Sequence, residues 1–147
     1  MARYYKIQLS LIALDKSSYH IIAKGRINEL PVNLVIDTGA SMSVFDRDYL
    51  KDHLPEPEAM TEEIHSAGIT ADKIEASRST AESFALEKFV IHQFPLVLIN
   101  MNKINKLYSK VTGTTIHGLL GSDFLHSMNA VIDYGKSVMI LKPDNSS

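Results

Sequence analysis

The first quarter of the chain alternates apolar and polar residues, and this alternation constrains the fold more than any other feature of the sequence. Between residues 5 and 11 every second side chain is apolar, which is the period of a half-buried β-strand. A polar turn at 15–18 separates this segment from a second strand over Tyr19–Ile27. After Asn28 and Glu29 a third apolar strand runs from Val32 to Ile36. The chain therefore begins as a β-meander that ends on Asp37.

The middle of the chain mixes helical and strand patterns. The spacing of apolar side chains from Phe45 to Leu54 predicts a helix, which Pro55 and Pro57 would end. From Thr61 to Leu98 the pattern returns to strands, with a hairpin tip at 67–70 and a strand over 94–99 that has Pro95 near its start.

The last third predicts short elements. One or two helical turns are indicated over 104–111 by their apolar spacing. A short helix follows Gly121, with Ser122 as its N-cap. A hairpin over 131–141 closes the chain, and the polar residues 142–147 read as a flexible tail. We therefore expect a mostly β fold with two or three short helices.

Length and composition limit the possible functions. The 147 residues suffice for one domain, assigned to residues 1–141. The absence of cysteine excludes disulfides, thiol nucleophiles and thiolate zinc sites. A formal charge of −2 does not favour nucleic acid as a partner. Neither a signal-peptide pattern nor an apolar run of about 18 residues is found, so we expect a cytoplasmic protein with no membrane contact.

Most catalytic templates do not fit. Residues 39–43 begin like a nucleophile elbow but end in Ser43 instead of glycine. Gly113 and Gly118 have the spacing of a phosphate-binding loop, but two leucines stand where Lys and Ser or Thr are required. The six histidines have no metal-ligand spacing, which favours surface or core roles for them. We expect no metal and no cofactor.

The segment from Val35 to Ser41 is the exception. An apolar strand delivers Asp37 into a turn of Thr38 and Gly39. Thr38 can hydrogen-bond the backbone, and Gly39 permits close backbone approach. Catalytic groups are positioned most precisely on rigid elements, and the end of a strand is such a position for a carboxylate. The same residues also fit a simple turn in which the aspartate caps its own backbone.

Two motifs together resemble the retropepsin-like aspartic proteases, which are single-domain relatives of pepsin. The first is Val35-Ile36-Asp37-Thr38-Gly39-Ala40-Ser41. The second, an apolar pair followed by glycine and a short helix, is Leu119-Leu120-Gly121-Ser122-Asp123-Phe124-Leu125. The resemblance spans about residues 19–141. It implies a closed, Greek-key-like β-barrel of the acid-protease type.

The resemblance also implies roles for individual residues. Asp37 would be catalytic, and a flap over residues 63–74 would cover the substrate. The residues that would support the active-site loop are Thr38, Gly39, Ala40 and Ser41. Those at the tip of the flap are Ala67, Gly68 and Ile69, and those with a structural role in the second motif are Leu120, Gly121 and Asp123.

The sequence departs from the retroviral pattern in three places. Gly68 is the only glycine of the flap segment, where retroviral enzymes are glycine-rich. Ser41 and Ser122 stand where those enzymes commonly have an Asp and an Arg that pair. The polar C-terminal tail suits an interleaved terminal interface poorly, so the N-terminal strand, residues 3–11, is the better candidate. Together these differences suggest a dimer held in another way.

Aspartic proteolysis needs two carboxylates that share one proton. The chain has a single Asp-Thr/Ser-Gly, because Asp133 is followed by the bulky Tyr134 and reads as a hairpin turn. The second carboxylate must then come from Asp37 of another copy, in a two-fold homodimer. The sequence thus predicts an endopeptidase that acts on extended peptides or proteins.

Three other interpretations remain open. The first is a dimer of the same fold that binds peptides or proteins without cleaving them. The second is an actin-like ATPase, whose phosphate loop has a similar pattern but whose two lobes 147 residues cannot supply. The third is a structural β-barrel in which the first motif arises by chance.

Overall fold

A computed structural model of the chain describes residues 3–60 and 75–144. The described strands are β1 (Tyr5–Ala13), β2 (Tyr19–Ile27), β3 (Leu30–Ile36), β4 (Val44–Asp46), β5 (Glu58–Ala59), β6 (Ala76–Leu86), β7 (Phe89–Ile99), β8 (Gly118–Leu120), β9 (Val131–Asp133) and β10 (Val138–Leu141). The helices are α1 (Arg47–Leu50), α2 (Asn102–Thr112) and α3 (Ser122–Ser127), with a 3-10 turn at Lys51–His53. The expectation of a mostly β fold is confirmed.

The strands form one sheet in the order β5-β6-β7-β4-β8-β3-β2-β1-β10-β9. An additional pairing of β6 with β2, at Arg26↔Ala85 and Ile27↔Phe84, joins two distant members of this order. It closes a ring of six strands, β2, β3, β8, β4, β7 and β6. The closure that the sequence led us to expect takes the form of this ring.

Strand β8 lies between two strands that are close together in sequence. It pairs parallel with β3, with Ile36 opposite Leu120. On its other side it pairs antiparallel with β4, with Val44 opposite Leu119. The loop 37–43 that connects β3 to β4 therefore passes around the end of β8. This arrangement brings the two sequence motifs into contact.

The described residues form two apolar clusters in the interior. The larger one is centred on four phenylalanines, in which Phe84 stacks on Phe94 with 4.4 Å between ring centroids, and Phe45 and Phe124 contact both edge to face. The second cluster lies beneath α2. Its buried members are Ile22, Val35, Val44, Ile99, Met101, Ile116 and Leu119, and Ile104 and Tyr108 of α2 pack against them.

The N-terminal strand is hydrogen-bonded within its own chain. Residues 5–8 of β1 pair with β10, and residues 9–13 pair with β2. The N–H of Gln8 donates to the Glu87 carboxylate in the β6–β7 turn. Of the tail beyond β10, Lys142 donates its N–H to the Met128 carbonyl. Residues 145–147 lie outside the described part.

Four local predictions were wrong. Phe45 lies in β4 and not in a helix, because the Asp46 side chain accepts from the N–H of Asp48 and starts α1 only at Arg47. Pro95 sits inside β7 and not near its start. It lies opposite Thr80 of β6, and among residues 3–60 and 75–144 no strand pairs with it on its other side, so its missing N–H is tolerated.

The two other differences concern helices. Helix α2 has 11 residues, more than the one or two turns predicted, and ends at Gly113 with φ 71°. Ser122 is the first residue of α3, and Gly121 is its N-cap. The α3 terminus uses the Asp123 carboxylate, whose Oδ1 accepts from the Phe124 N–H at 2.8 Å.

Candidate active site

Asp37 is held at the end of β3 by its own backbone and side chain. Its N–H donates to the Leu120 carbonyl of β8 at 2.9 Å, and its carbonyl accepts from the Ala40 N–H at 3.2 Å. Its Oδ1 accepts from the Gly39 N–H at 3.0 Å. The side chain is half-buried, while Thr38 and Gly39 are exposed. The carboxylate is therefore fixed in direction and still accessible.

The second motif supports this loop from below. The Ser122 N–H donates to the Ala40 carbonyl at 2.7 Å. At Gly121 an added Cβ would lie only 2.6 Å from that same carbonyl oxygen and 3.1 Å from the backbone of Met42. Since neither backbone can give way, this position requires glycine. The structure therefore places Leu120 and Gly121 directly against the Asp37 loop.

Ser43 ties the two motifs together, and the sequence did not single it out. Its Oγ donates to Asp123 Oδ1 at 2.7 Å and accepts from the Gly121 N–H at 2.9 Å. Its N–H donates to Asp123 Oδ2 at 3.0 Å. Ser41, which stands at the position of the retroviral aspartate, is exposed. The tie between the motifs thus runs through Ser43 and Asp123, and no local pattern in the sequence points to it.

A tyrosine–histidine pair also lies beside the loop. The Tyr108 hydroxyl of α2 is 2.5 Å from His20 Nδ1 of β2, and the two rings meet edge to face at 5.2 Å. Burial raises the pKa of the Tyr108 phenol, and the negative charge of Asp37 raises it further. The pair was not predicted, because the two residues are 88 positions apart and neither lies in a motif.

A second histidine, directly before β8, holds this irregular segment against β3. His117 Nδ1 accepts from the Asn33 N–H at 2.9 Å, and its ring stacks on Tyr49 at 4.0 Å. Burial lowers the pKa of His117, and the negative charge of Asp46 raises it by a smaller amount. Burial raises the pKa of Asp46, and backbone donors at Tyr49 and Asp48 oppose that rise.

An open cleft of about 820 Å³ adjoins the Ser43–Asp123 tie. Its walls come from the loop after Asp37, the segment before β5, the β6–β7 pair and α3, and they include Met42, Glu58, Arg78, Phe94 and Met128. Met42 is 37% exposed at its edge. The cleft is lined by both apolar and charged side chains.

Two further site expectations concern other parts of the chain. The predicted flap tip, Ala67, Gly68 and Ile69, lies outside the described residues. Within residues 3–60 and 75–144, no three histidine, aspartate or glutamate side chains come together as ligands for a metal ion. Over the same residues, no helix has the length and apolar character to cross a membrane.

The chain is similar in fold to solved structures that include the following three. The chain has a TM-score of 0.54 and 18% identity to a retropepsin-like aspartic protease from Rickettsia conorii, with 97% of this chain and 94% of that one covered. With EIAV protease in complex with the inhibitor HBY-793 the TM-score is 0.56 and the identity 16%, with 81% of this chain and 97% of that one covered. With the retroviral protease-like domain of Ddi1 from Leishmania major the TM-score is 0.51 and the identity 15%, with 86% of this chain and 96% of that one covered.

Sequence comparison gives the family directly. Among curated proteins no sequence matches this chain. The sequence model of the family described as aspartyl protease, however, matches residues 23–124, which include the first motif, the second motif up to Phe124 and most of the ring of strands. The match extends over more than half of the chain. The chain belongs to the aspartyl protease family, and its fold is that of the retropepsin-like members.

Proposed function

We propose that the protein is an aspartic endopeptidase whose active site is completed by two copies of the chain. The observation that carries this proposal is the Asp37 loop, in which strand β3, the Gly39 N–H and the Leu120 carbonyl fix one accessible carboxylate. The sequence has one Asp-Thr/Ser-Gly and the reaction needs two carboxylates. A two-fold homodimer with its axis beside Asp37 supplies the second one.

In the proposed reaction the two Asp37 side chains share one proton. The ionised carboxylate removes a proton from a water molecule as the water oxygen attacks the peptide carbonyl carbon. The protonated carboxyl of the partner subunit donates its proton to the carbonyl oxygen, which gives a neutral tetrahedral diol. The diol then collapses: one hydroxyl returns its proton, the amide nitrogen accepts a proton from the dyad, and the C–N bond breaks.

The supporting residues have defined tasks in this proposal. Thr38 of each copy joins the two loops beneath the dyad, and Gly39 and Ala40 hold the turn. Leu120, Gly121 and Asp123 brace the loop from the second motif. Residues 67–69 form the tip of a flap that closes over an extended peptide and excludes water.

A mixed peptide library incubated between about pH 4 and 7, with the products sequenced, tests the activity. We expect cleavage that Asp37→Asn abolishes and that a statine-type mimic of the tetrahedral intermediate blocks. Asp133→Asn is the matched control, because it alters the other Asp-x-Gly of the chain and retains the oxygen that accepts from the Lys136 N–H. Cleavage that survives Asp37→Asn would show that another group performs the chemistry.

Light scattering on the same samples tests the dimer. We expect a dimer at the concentrations at which peptide is cleaved. A monomer that still cleaves peptide would exclude a dyad shared between copies. A folded dimer that cleaves no peptide at any pH would instead identify the protein as a peptide- or protein-binding module of the same fold.

A further inference from the structure

Helix α2 brings an aromatic side chain to the edge of the active-site loop. The helix lies between β7 and β8 in sequence, and Asn105 fixes its rotation. The Asn105 Nδ2 donates to the Ile116 carbonyl at 2.9 Å, and its Oδ1 accepts from the Ile116 N–H at 2.7 Å. Residues three apart share a helix face. The pair of hydrogen bonds made by Asn105 therefore also turns Tyr108 toward β2.

The register of β2 and β3 places His20 beside Asp37. The two strands pair antiparallel as far as Ile22↔Val35. Two residues further along this register His20 comes level with Asp37, and His20 itself still pairs with Ile12 of β1. Ile22 and Val35 both belong to the apolar cluster beneath α2. Because side chains two apart on a strand share a face, His20 stands on the α2 side of the sheet.

His20 and Tyr108 therefore form one unit next to the catalytic carboxylate. The Tyr108 hydroxyl lies 2.5 Å from His20 Nδ1, and both side chains are half-exposed. The effect of the Asp37 charge on the Tyr108 phenol agrees with this placement. Proton transfer in the proposed reaction uses neither ring, so the pair has no task in that chemistry.

We propose that Tyr108, held in place by His20, forms the wall of the substrate site beside Asp37 and limits the size of the substrate side chain next to the cleaved bond. This inference rests on the proposed endopeptidase function. Tyr108 is the specificity-determining residue, and His20 is a positioning residue that acts through it. A ring fixed at both its helix and its hydroxyl excludes bulky side chains more sharply than a mobile one does.

Pairs of peptides that differ in one residue flanking the cleaved bond, alanine against phenylalanine, test the wall. We expect Tyr108→Ala to raise the ratio of kcat/KM for the phenylalanine peptide over the alanine peptide by about tenfold or more. Tyr108→Phe keeps the ring but loses the hydroxyl that meets His20, so it should retain only part of the selectivity, to the same extent as His20→Leu. Lys106→Ala, on the opposite exposed face of α2, is the control. A ratio for Tyr108→Ala within about threefold of the wild-type ratio would overturn the proposal.

Two variants at His20 test its positioning role. His20→Leu removes the hydrogen-bond partner of the Tyr108 hydroxyl, and we expect it to lower selectivity between the two peptides while the kcat of the preferred peptide changes little. His20→Asn returns an amide, which can donate to or accept from the hydroxyl, and should restore the selectivity. Equal selectivity in both variants would exclude positioning through the hydrogen bond.

The same peptides with a reduced, uncleavable amide separate this inference from the function itself. Their binding to wild type and to Tyr108→Ala, followed by fluorescence anisotropy, should show the same change in ratio. If no peptide is cleaved but the binding ratio changes as expected, the endopeptidase proposal is refuted and the role of Tyr108 is supported. If peptides are cleaved and neither ratio changes, the role of Tyr108 is refuted and the endopeptidase proposal is supported. Absence of both cleavage and binding overturns both.

Discussion

Replacing Ser43 by alanine removes the hydroxyl that joins the two motifs behind the active-site loop. In the native protein this Oγ donates to Asp123 Oδ1 and accepts from the Gly121 N–H, and Ser43 is 7% exposed. A hydrogen bond to a charged group contributes about 1.5–3 kcal/mol, and a buried N–H left without a partner costs about 1–3 kcal/mol. Because the two effects share one site and do not simply add, we expect a loss of about 3 kcal/mol.

For a chain of this length, 1 kcal/mol corresponds to a shift of about 2–4 °C in Tm, so Ser43→Ala should lower Tm by about 6–12 °C. Urea unfolding followed by circular dichroism gives the free energy of unfolding directly. All variants must be compared at one protein concentration, because the stability of a dimer depends on it.

Two variants make this measurement decisive. Ser41→Ala changes an exposed serine in the same loop and should alter stability by no more than about 0.5 kcal/mol. In a double-mutant cycle, Ser43→Ala and Asp123→Asn should show a coupling of about 0.5–3 kcal/mol through the Oγ–Oδ1 hydrogen bond, while the contacts of Asp123 with the Ser43 and Phe124 N–H groups lie outside this coupling. A loss below about 1 kcal/mol for Ser43→Ala, or one equal to that for Ser41→Ala, would refute the assigned role of the hydroxyl.

Three further predictions concern the dyad, the second motif and pH. Equal amounts of wild type and Asp37→Asn can be mixed so that their subunits exchange. If both carboxylates are needed, the mixture should cleave at about one quarter of the rate of the same total amount of wild-type protein, and a rate near one half would refute a shared dyad. Gly121→Ala should destabilise by about 1–3 kcal/mol or more through its clash with the Ala40 carbonyl, whereas Gly135→Ala, whose Cβ would have 3.4 Å of room, should be tolerated in urea unfolding. Because burial lowers the pKa of His117, the unfolded chain binds a proton there before the folded one does, so stability should fall as pH drops below about 6.5. His117→Asn keeps an acceptor for the Asn33 N–H and should lose less stability between pH 7 and 5; an unchanged pH dependence would contradict this assignment.

Local sequence signals predicted what depends on local structure. The meander to Asp37 follows from period-two alternation. The error at Phe45 has a local cause: the apolar spacing runs across a strand, a helix and a 3-10 turn, and the capping role of Asp46 was overlooked. Strand, cap and helix are compressed into too few residues for periodicity to separate them.

Contacts between distant parts of the chain could not be predicted in this way. The pairing of Ser43 with Asp123 joins residues 80 positions apart, and that of His20 with Tyr108 joins residues 88 positions apart. Each depends on the placement of a whole element, β8 in one case and α2 in the other. A single serine or tyrosine has no pattern that reveals such a partner, so only the assembled sheet identifies it.

The position of β8 also determines when during synthesis the active-site loop can form. The acceptor for the Asp37 N–H is the Leu120 carbonyl. The hydrogen-bond partner of the loop residue Ser43 is Asp123, which is synthesised 80 residues later. At 5–20 residues per second, a ribosome needs roughly 4–16 s to make that stretch. During this interval β3 and β4 exist without the strand that separates them, and the Asp37 loop lacks its contacts with Leu120 and Asp123. A nascent chain that ends before β8 therefore cannot hold this loop in the arrangement that the proposed activity requires.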